Sequence, residues 1–194
     1  MTLSTDFARF LAASAAVRFG DFTLKSGKKS PVFFNFGDLC GGRELSDMGG
    51  FFARAIVEHD LADSGALFGP AYKGINLAIA TSIALWRDHA IDIPVAYNRK
   101  EAKAHGEGGA VVGADLAQAR SVIVLDDVIT DGATKYDVID MLRAFPGLQI
   151  AAMLVGVDRQ DKDDAGRAYI DVLREKTGVR VEALTTREDV LQWK

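Results

Sequence analysis

A single cysteine, Cys40, rules out an intrachain disulfide in this 194-residue chain and points to a reducing, cytoplasmic setting. Histidine is scarce too, with three residues. His59, His89 and His105 have no zinc-ligand spacing with each other or with Cys40, so no transition-metal site is expected. Positive charge is not in excess either: 23 Lys and Arg against 27 Asp and Glu leave a net charge of −4, which suggests no nucleic-acid surface. No apolar run is long enough to cross a bilayer, and residues 1–10 mix Asp6 and Arg9 into a short amphipathic pattern unlike a secretory leader. Two phosphate-binding fingerprints are missing as well. No glycine has the G-x-x-x-x-G-K-[ST] spacing, since Ser26-Gly27-Lys28-Lys29-Ser30 lacks the upstream glycine. Val111 stands where a G-x-G-x-x-G string starting at Gly106 would need its last glycine.

What is present, 48% hydrophobic and 26% charged content with no repeat, low-complexity segment or Pro-rich linker, suits one sizeable core and a single domain over 1–194. Periodicity predicts helices over about 3–17, 44–58, 75–89 and 134–145. Strands are predicted around 22–24, 32–35, 66–68, 93–97, 121–125 and 150–157. Helix and strand alternate through the middle of the chain, so the expected fold class is α/β: a mostly parallel, twisted sheet flanked by helices, with ligands at the strands' carboxyl ends. Residues 1–40 and about 179–194 fall outside the alternation and are expected to form a small cap, or hood, over that edge.

The most informative stretch is 121–135, SVIVLDDVITDGATK. Its apolar run is hydrophobic on both faces, as in a buried parallel strand, and it leads into a small-residue turn and a helix start. Unpaired N–H groups and the positive end of a helix dipole form an anion cradle there, to which Thr130 and Thr134 can add hydroxyls. Asp126 and Asp127 beside it supply acceptors that suit a sugar diol or the water shell of a hydrated cation. Together these features describe a phosphorylated sugar, although a core strand surfacing into a loop accounts for the same residues.

Three further segments carry chemistry. In residues 67–74, LFGPAYKG, an apolar strand meets a Gly/Pro turn and places Lys73 at a helix start, where an anionic ligand would offset the unfavourable dipole; an ordinary turn with an exposed lysine is the alternative. Arg99, Lys100, Lys103 and His105 crowd a glycine-rich stretch, which reads either as a loop closing on a polyanion or as a solvated surface. Lys25, Phe33 and Phe34 lie on the expected cap. Adjacent residues of a strand face opposite ways, so at most one phenylalanine can stack on a ligand. Arg159 follows a predicted strand and could fork onto a planar carboxylate.

The DDVITDGAT string resembles the signature for 5-phosphoribosyl 1-diphosphate in the type I phosphoribosyltransferase family. FTLKSGKKSPVFFNFG, LFGPAYKGI and YNRKEAKAHGEGG are similar, in order, to segments of that family's orotate phosphoribosyltransferases. The likeness runs from about Phe22 to Arg159. It implies a type I phosphoribosyltransferase-like fold and transfer of ribose 5-phosphate from the diphosphate to orotate in pyrimidine biosynthesis, with Mg²⁺ held mainly by substrate and water. By the same resemblance, residues 126–134 would hold the phosphoribosyl group: Asp126 and Asp127 near the ribose hydroxyls, and Val128, Ile129, Thr130, Asp131, Gly132, Ala133 and Thr134 around the 5′-phosphate. Tyr72 and Lys73 would line the diphosphate site. Arg99, Lys100, Lys103 and His105 would belong to a loop reaching a neighbouring subunit, which implies a homodimer with shared sites. Lys103, Asp126, Asp127, Lys73 and His105 would be catalytic, and Lys25, Phe33, Phe34, Thr130 and Arg159 would lie against orotate.

Asp131 departs from the family pattern, which usually has a small residue there; it is expected to turn outward or to cap the following helix. A non-catalytic sensor of the same diphosphate and a purine-specific transferase are the competing readings. A fused pyrimidine enzyme carrying a decarboxylase is not expected at this length.

Overall fold

The computed structural model describes residues 2–24, 27–100 and 110–194. Helix α1 (Leu3–Ala13) starts under a Thr2 cap whose hydroxyl accepts the Thr5 N–H. It ends four residues earlier than periodicity suggests. The Ser14 hydroxyl donates back to the Leu11 carbonyl, and the β-branched Val17 then opens β1 (Val17–Thr23). Strand β2 (Lys29–Phe34) pairs antiparallel with β1 as a separate two-stranded ribbon. Next come α2 (Gly42–Glu58), β3 (Ala66–Phe68), α3 (Lys73–His89), β4 (Val95–Asn98) and a short β5 (Val111–Gly113). The chain continues with β6 (Ser121–Ile129), α4 (Ala133–Arg143), β7 (Gln149–Asp158), α5 (Tyr169–Thr177), β8 (Val181–Thr186) and α6 (Arg187–Leu191).

The main sheet has the order β5-β4-β3-β6-β7-β8, all parallel except the edge strand β5. Its central strands are covered on both sides. Ile123, Leu125 and Leu154 face α1, α2 and α3, whereas Val122, Val124, Met153 and Val155 face α4 and α5. Residues 122–125 are wholly buried, and each contributes about 1.5–3 kcal/mol of transfer free energy to the core. Because β3, β4, β6 and β7 run the same way, the segments that follow them converge at one edge of the sheet.

Three expectations need correction. Strand β6 does not end at 125 but continues to Ile129, because the long partner β7 goes on pairing with it through Asp126↔Val155 and Ile129↔Asp158. The chain between β4 and β6 contributes β5, whose apolar Val111 and Val112 pair with β4. The tail divides: β8 extends the alternation by joining the main sheet beside β7, α6 follows it, and both pack against α1. Ser4 Oγ fixes that contact through Asp189 Oδ2 at 3.2 Å and Thr185 Oγ1 at 3.1 Å.

Candidate active site

The two aspartates of β6 lie on opposite faces of the sheet, as strand pleating requires. Asp127 turns toward α3, where its Oδ2 accepts from Lys73 Nζ at 2.9 Å. The anion that compensates the lysine at the start of α3 is thus the protein's own carboxylate. Asp126 turns toward α4 and forms an ion pair with Lys135. Its other oxygen accepts the Asp127 N–H at 2.8 Å. The pair is buried, with only 6% of the Lys135 side chain and 12% of the Asp126 side chain exposed. Burial pushes the Asp126 carboxyl above the ordinary carboxylate range, while the Lys135 ammonium opposes the shift.

Lys135 is a site residue that the sequence reading missed. Its signal was present: Lys135, Val138, Ile139 and Leu142 have the i, i+3, i+4, i+7 spacing of an inward helical stripe, and all four are buried.

A cavity of about 180 Å³ opens above Lys73 and Asp127. Its walls are Phe36 and Gly37, Leu45 and Met48 of α2, and Tyr72, Asn76 and Leu77 around the start of α3. Phe33 and Phe34 are not on its wall: Phe33 is exposed beside Phe22, with ring centroids 5.7 Å apart, and Phe34 packs into the core. Phe36 is the ring the structure brings there. It is buried two residues past the end of β2, in a short 3-10 turn capped by Asn35, whose side-chain oxygen accepts the Gly37 N–H at 3.3 Å. Phe36 sits close over β7, since a Cβ at Gly156 would lie 2.7 Å from its ring and 2.8 Å from the Asp127 carbonyl.

The β3–α3 turn presses against β6 in a similar way. A Cβ at Gly74 would meet the Leu125 carbonyl at 3.0 Å and the Pro70 ring at 2.7 Å. Asn98, at the end of β4, holds this turn by accepting the Ala71 N–H at 2.8 Å. Beyond it, Lys100 Nζ stands 4.8 Å from the centroid of the exposed Tyr72 ring, so a residue expected in the cationic loop meets one expected at the diphosphate site. The Arg99 Nε is buried and has no hydrogen-bond partner among the described residues. Lys25, Lys103 and His105 lie outside the described residues.

At the end of β6, the turn into α4 carries Val128 and Ile129 within the strand, Gly132 at φ +75°, and Ala133 and Thr134 exposed in the first helical turn. Asp131 is exposed and caps this turn, its Oδ1 accepting the Ala133 N–H at 3.1 Å and the Thr130 hydroxyl at 3.4 Å. Arg159 lies at the same edge, its N–H donating to the Ile129 carbonyl at 3.3 Å. Its guanidinium is paired with Asp161 at 2.9 Å.

Strand ends, a glycine turn at a helix start, and paired lysine and aspartate around a cavity can hold a phosphorylated sugar beside a planar ring. Known proteins agree in sequence and structure. The chain is 43% identical over 188 residues to orotate phosphoribosyltransferase of Pseudomonas fluorescens (strain SBW25), covering 97% of this chain and 86% of that one. It is 44% identical, with the same coverage, to the enzyme of that name from Saccharophagus degradans. The chain belongs to the orotate phosphoribosyltransferase family. No protein-family model matches it. Among solved structures, the orotate phosphoribosyltransferase of Francisella tularensis superposes with a TM-score of 0.82 at 34% identity, covering 97% of this chain and 89% of its own. The α/β fold is therefore that of the type I phosphoribosyltransferases.

The described residues contain no group of three His, Cys, Asp or Glu side chains suited to a metal ion, and both β6 aspartates already carry a lysine. They do not fit a metal cage built from protein side chains alone. No helix among them is long and apolar enough to cross a membrane.

Proposed function

We propose that this site transfers ribose 5-phosphate from 5-phosphoribosyl 1-diphosphate to orotate, giving orotidine 5′-phosphate and diphosphate. Family membership places that reaction in pyrimidine biosynthesis. The observation that carries the assignment is the convergence, at one sheet edge, of the β6–α4 phosphate turn with a small cavity based on Lys73 and Asp127. In the reaction the bond from the anomeric carbon to diphosphate breaks, so positive charge grows on the sugar and negative charge on the leaving group. Lys73, Arg99 and Lys100 would meet the leaving group, and the Asp127 carboxylate on the cavity wall would tolerate the developing cation. Lys103 and His105 complete the cationic set by family resemblance.

Mg²⁺ enters in this account as cargo of the diphosphate, held by its oxygens and by water. A homodimer is favoured by α3, which exposes Ile79, Ile83 and Trp86 at i, i+4, i+7 spacing, with Ile83 59% and Trp86 63% exposed. That apolar stripe continues toward the exposed Tyr72, so a second copy seated on it would stand beside the diphosphate end of the site. A single free cysteine suits a cytoplasmic enzyme.

The test is a spectrophotometric assay of orotate consumption with phosphoribosyl diphosphate and Mg²⁺, run beside adenine, hypoxanthine and uracil. Orotate turnover is expected; turnover only with a purine, or with no base, overturns the assignment.

A further inference from the structure

The turn between β6 and α4 carries a negative charge where a phosphate site would be expected to carry none. Asp131 Oδ1 takes the N–H of Ala133 and the hydroxyl of Thr130, and both donors belong to the set assigned above to the 5′-phosphate. The nearest cation on α4 does not offset this charge, because Lys135 is buried and neutralised by Asp126. The family resemblance leads one to expect a small side chain at this position.

We propose that Asp131 is a resident anion of the phosphate cradle, which must rotate out when a sugar 5-phosphate enters and so sets the chain's affinity for that end of its substrate. The proposal rests on the phosphoribosyl reading of the site. An arriving phosphate meets a donor already engaged and a like charge within reach of the same N–H, and both effects weaken binding. The side chain also shapes the turn, so its two roles have to be separated. Asparagine keeps the acceptor oxygen for Ala133 and removes the charge, whereas alanine removes both.

Ribose 5-phosphate is titrated calorimetrically into the full-length wild type, Asp131→Asn and Asp131→Ala, at low and at high NaCl. The expected result is a Kd lowered about tenfold in Asp131→Asn and lowered also in Asp131→Ala, since each 1.4 kcal/mol of relieved repulsion is tenfold. The gap between wild type and Asp131→Asn should narrow at high salt, because screening acts on charge and not on turn shape. Equal affinity in all three proteins overturns the proposal. So does weaker binding in Asp131→Ala with Asp131→Asn unchanged, which would make Asp131 a shaper of the turn alone. Absence of binding in every variant instead refutes the phosphate cradle, a result distinct from the other two.

Discussion

Replacing Lys135 by methionine removes one partner of a buried ion pair while nearly preserving its volume. Breaking such a pair costs about 3–5 kcal/mol when the remaining charge stays buried. Asp126 has an escape, because burial already raises its pKa and the ammonium that opposes the rise is gone. It can take up a proton. Holding that proton costs about 1.4 kcal/mol for each pH unit above an unfolded carboxylate's pKa of about 3.9. The penalty at pH 5 is then about 1.5 kcal/mol, and by pH 8 it reaches the limit of about 3–5 kcal/mol. The sign follows from linkage: a folded pKa above the unfolded one means that the deficit grows as pH rises. At about 2–4 °C per kcal/mol for a chain of this size, the Tm should fall by about 3–6 °C at pH 5 and about 6–20 °C at pH 8. Calorimetric melts of the wild type and Lys135→Met at pH 5, 6.5 and 8 give the comparison directly. The double variant Lys135→Met/Asp126→Asn should recover most of the loss at pH 8, since no charge is left unpaired. A loss below about 1 kcal/mol at pH 8, or one that does not change with pH, would refute the account of the pair.

Gly156→Ala should destabilise the protein by about 1–3 kcal/mol through overpacking against the Phe36 ring and the Asp127 carbonyl, and weaken orotate binding; urea unfolding and equilibrium titration check the two effects. Ile83→Asp places a charge in the α3 stripe and should convert a dimer into monomers in sedimentation velocity, whereas an unchanged mass removes α3 from the interface. Lys103→Ala should lower kcat far more than it raises the orotate Kd, and an unchanged kcat would take Lys103 out of the catalytic set.

Local sequence carried the elements whose apolar pattern is self-contained. The span 66–68 emerges as β3, and α3 begins two residues before its expected start, at the lysine already singled out. Boundaries moved where pairing at a distance decides them. Two aspartates look like the end of a strand, yet β7 supplies partners that carry β6 through them. The turn motifs did converge, because parallel strands bring their following segments to one edge. Partner choice inside the site was less legible. A lysine in the first turn of a helix reads as exposed, and only its place in the stripe with Val138 and Leu142 indicates otherwise. Phe33 and Phe34 were singled out by the family likeness, whereas Phe36, in the short turn just past β2, is the ring on the cavity wall. Arg159 pairs with Asp161, two positions along, a partner that the sequence reading did not anticipate.

The opposed aspartates of β6 make the site a matter of odd and even. Each carboxylate belongs to one layer only because its position has a particular parity along the strand. Deleting Val124 would exchange the two, sending Asp126 into the cavity and Asp127 into the α4 layer. The irregularity where Val122 pairs with Ile150 but Ile123 pairs with Ala152 already absorbs one extra residue of β7 before the aspartates are reached. Downstream of it the two strands run in step to Ile129 and Asp158. Length changes in this protein are therefore expected to survive in the α4–β7 loop, and to be lethal to the chemistry within β6.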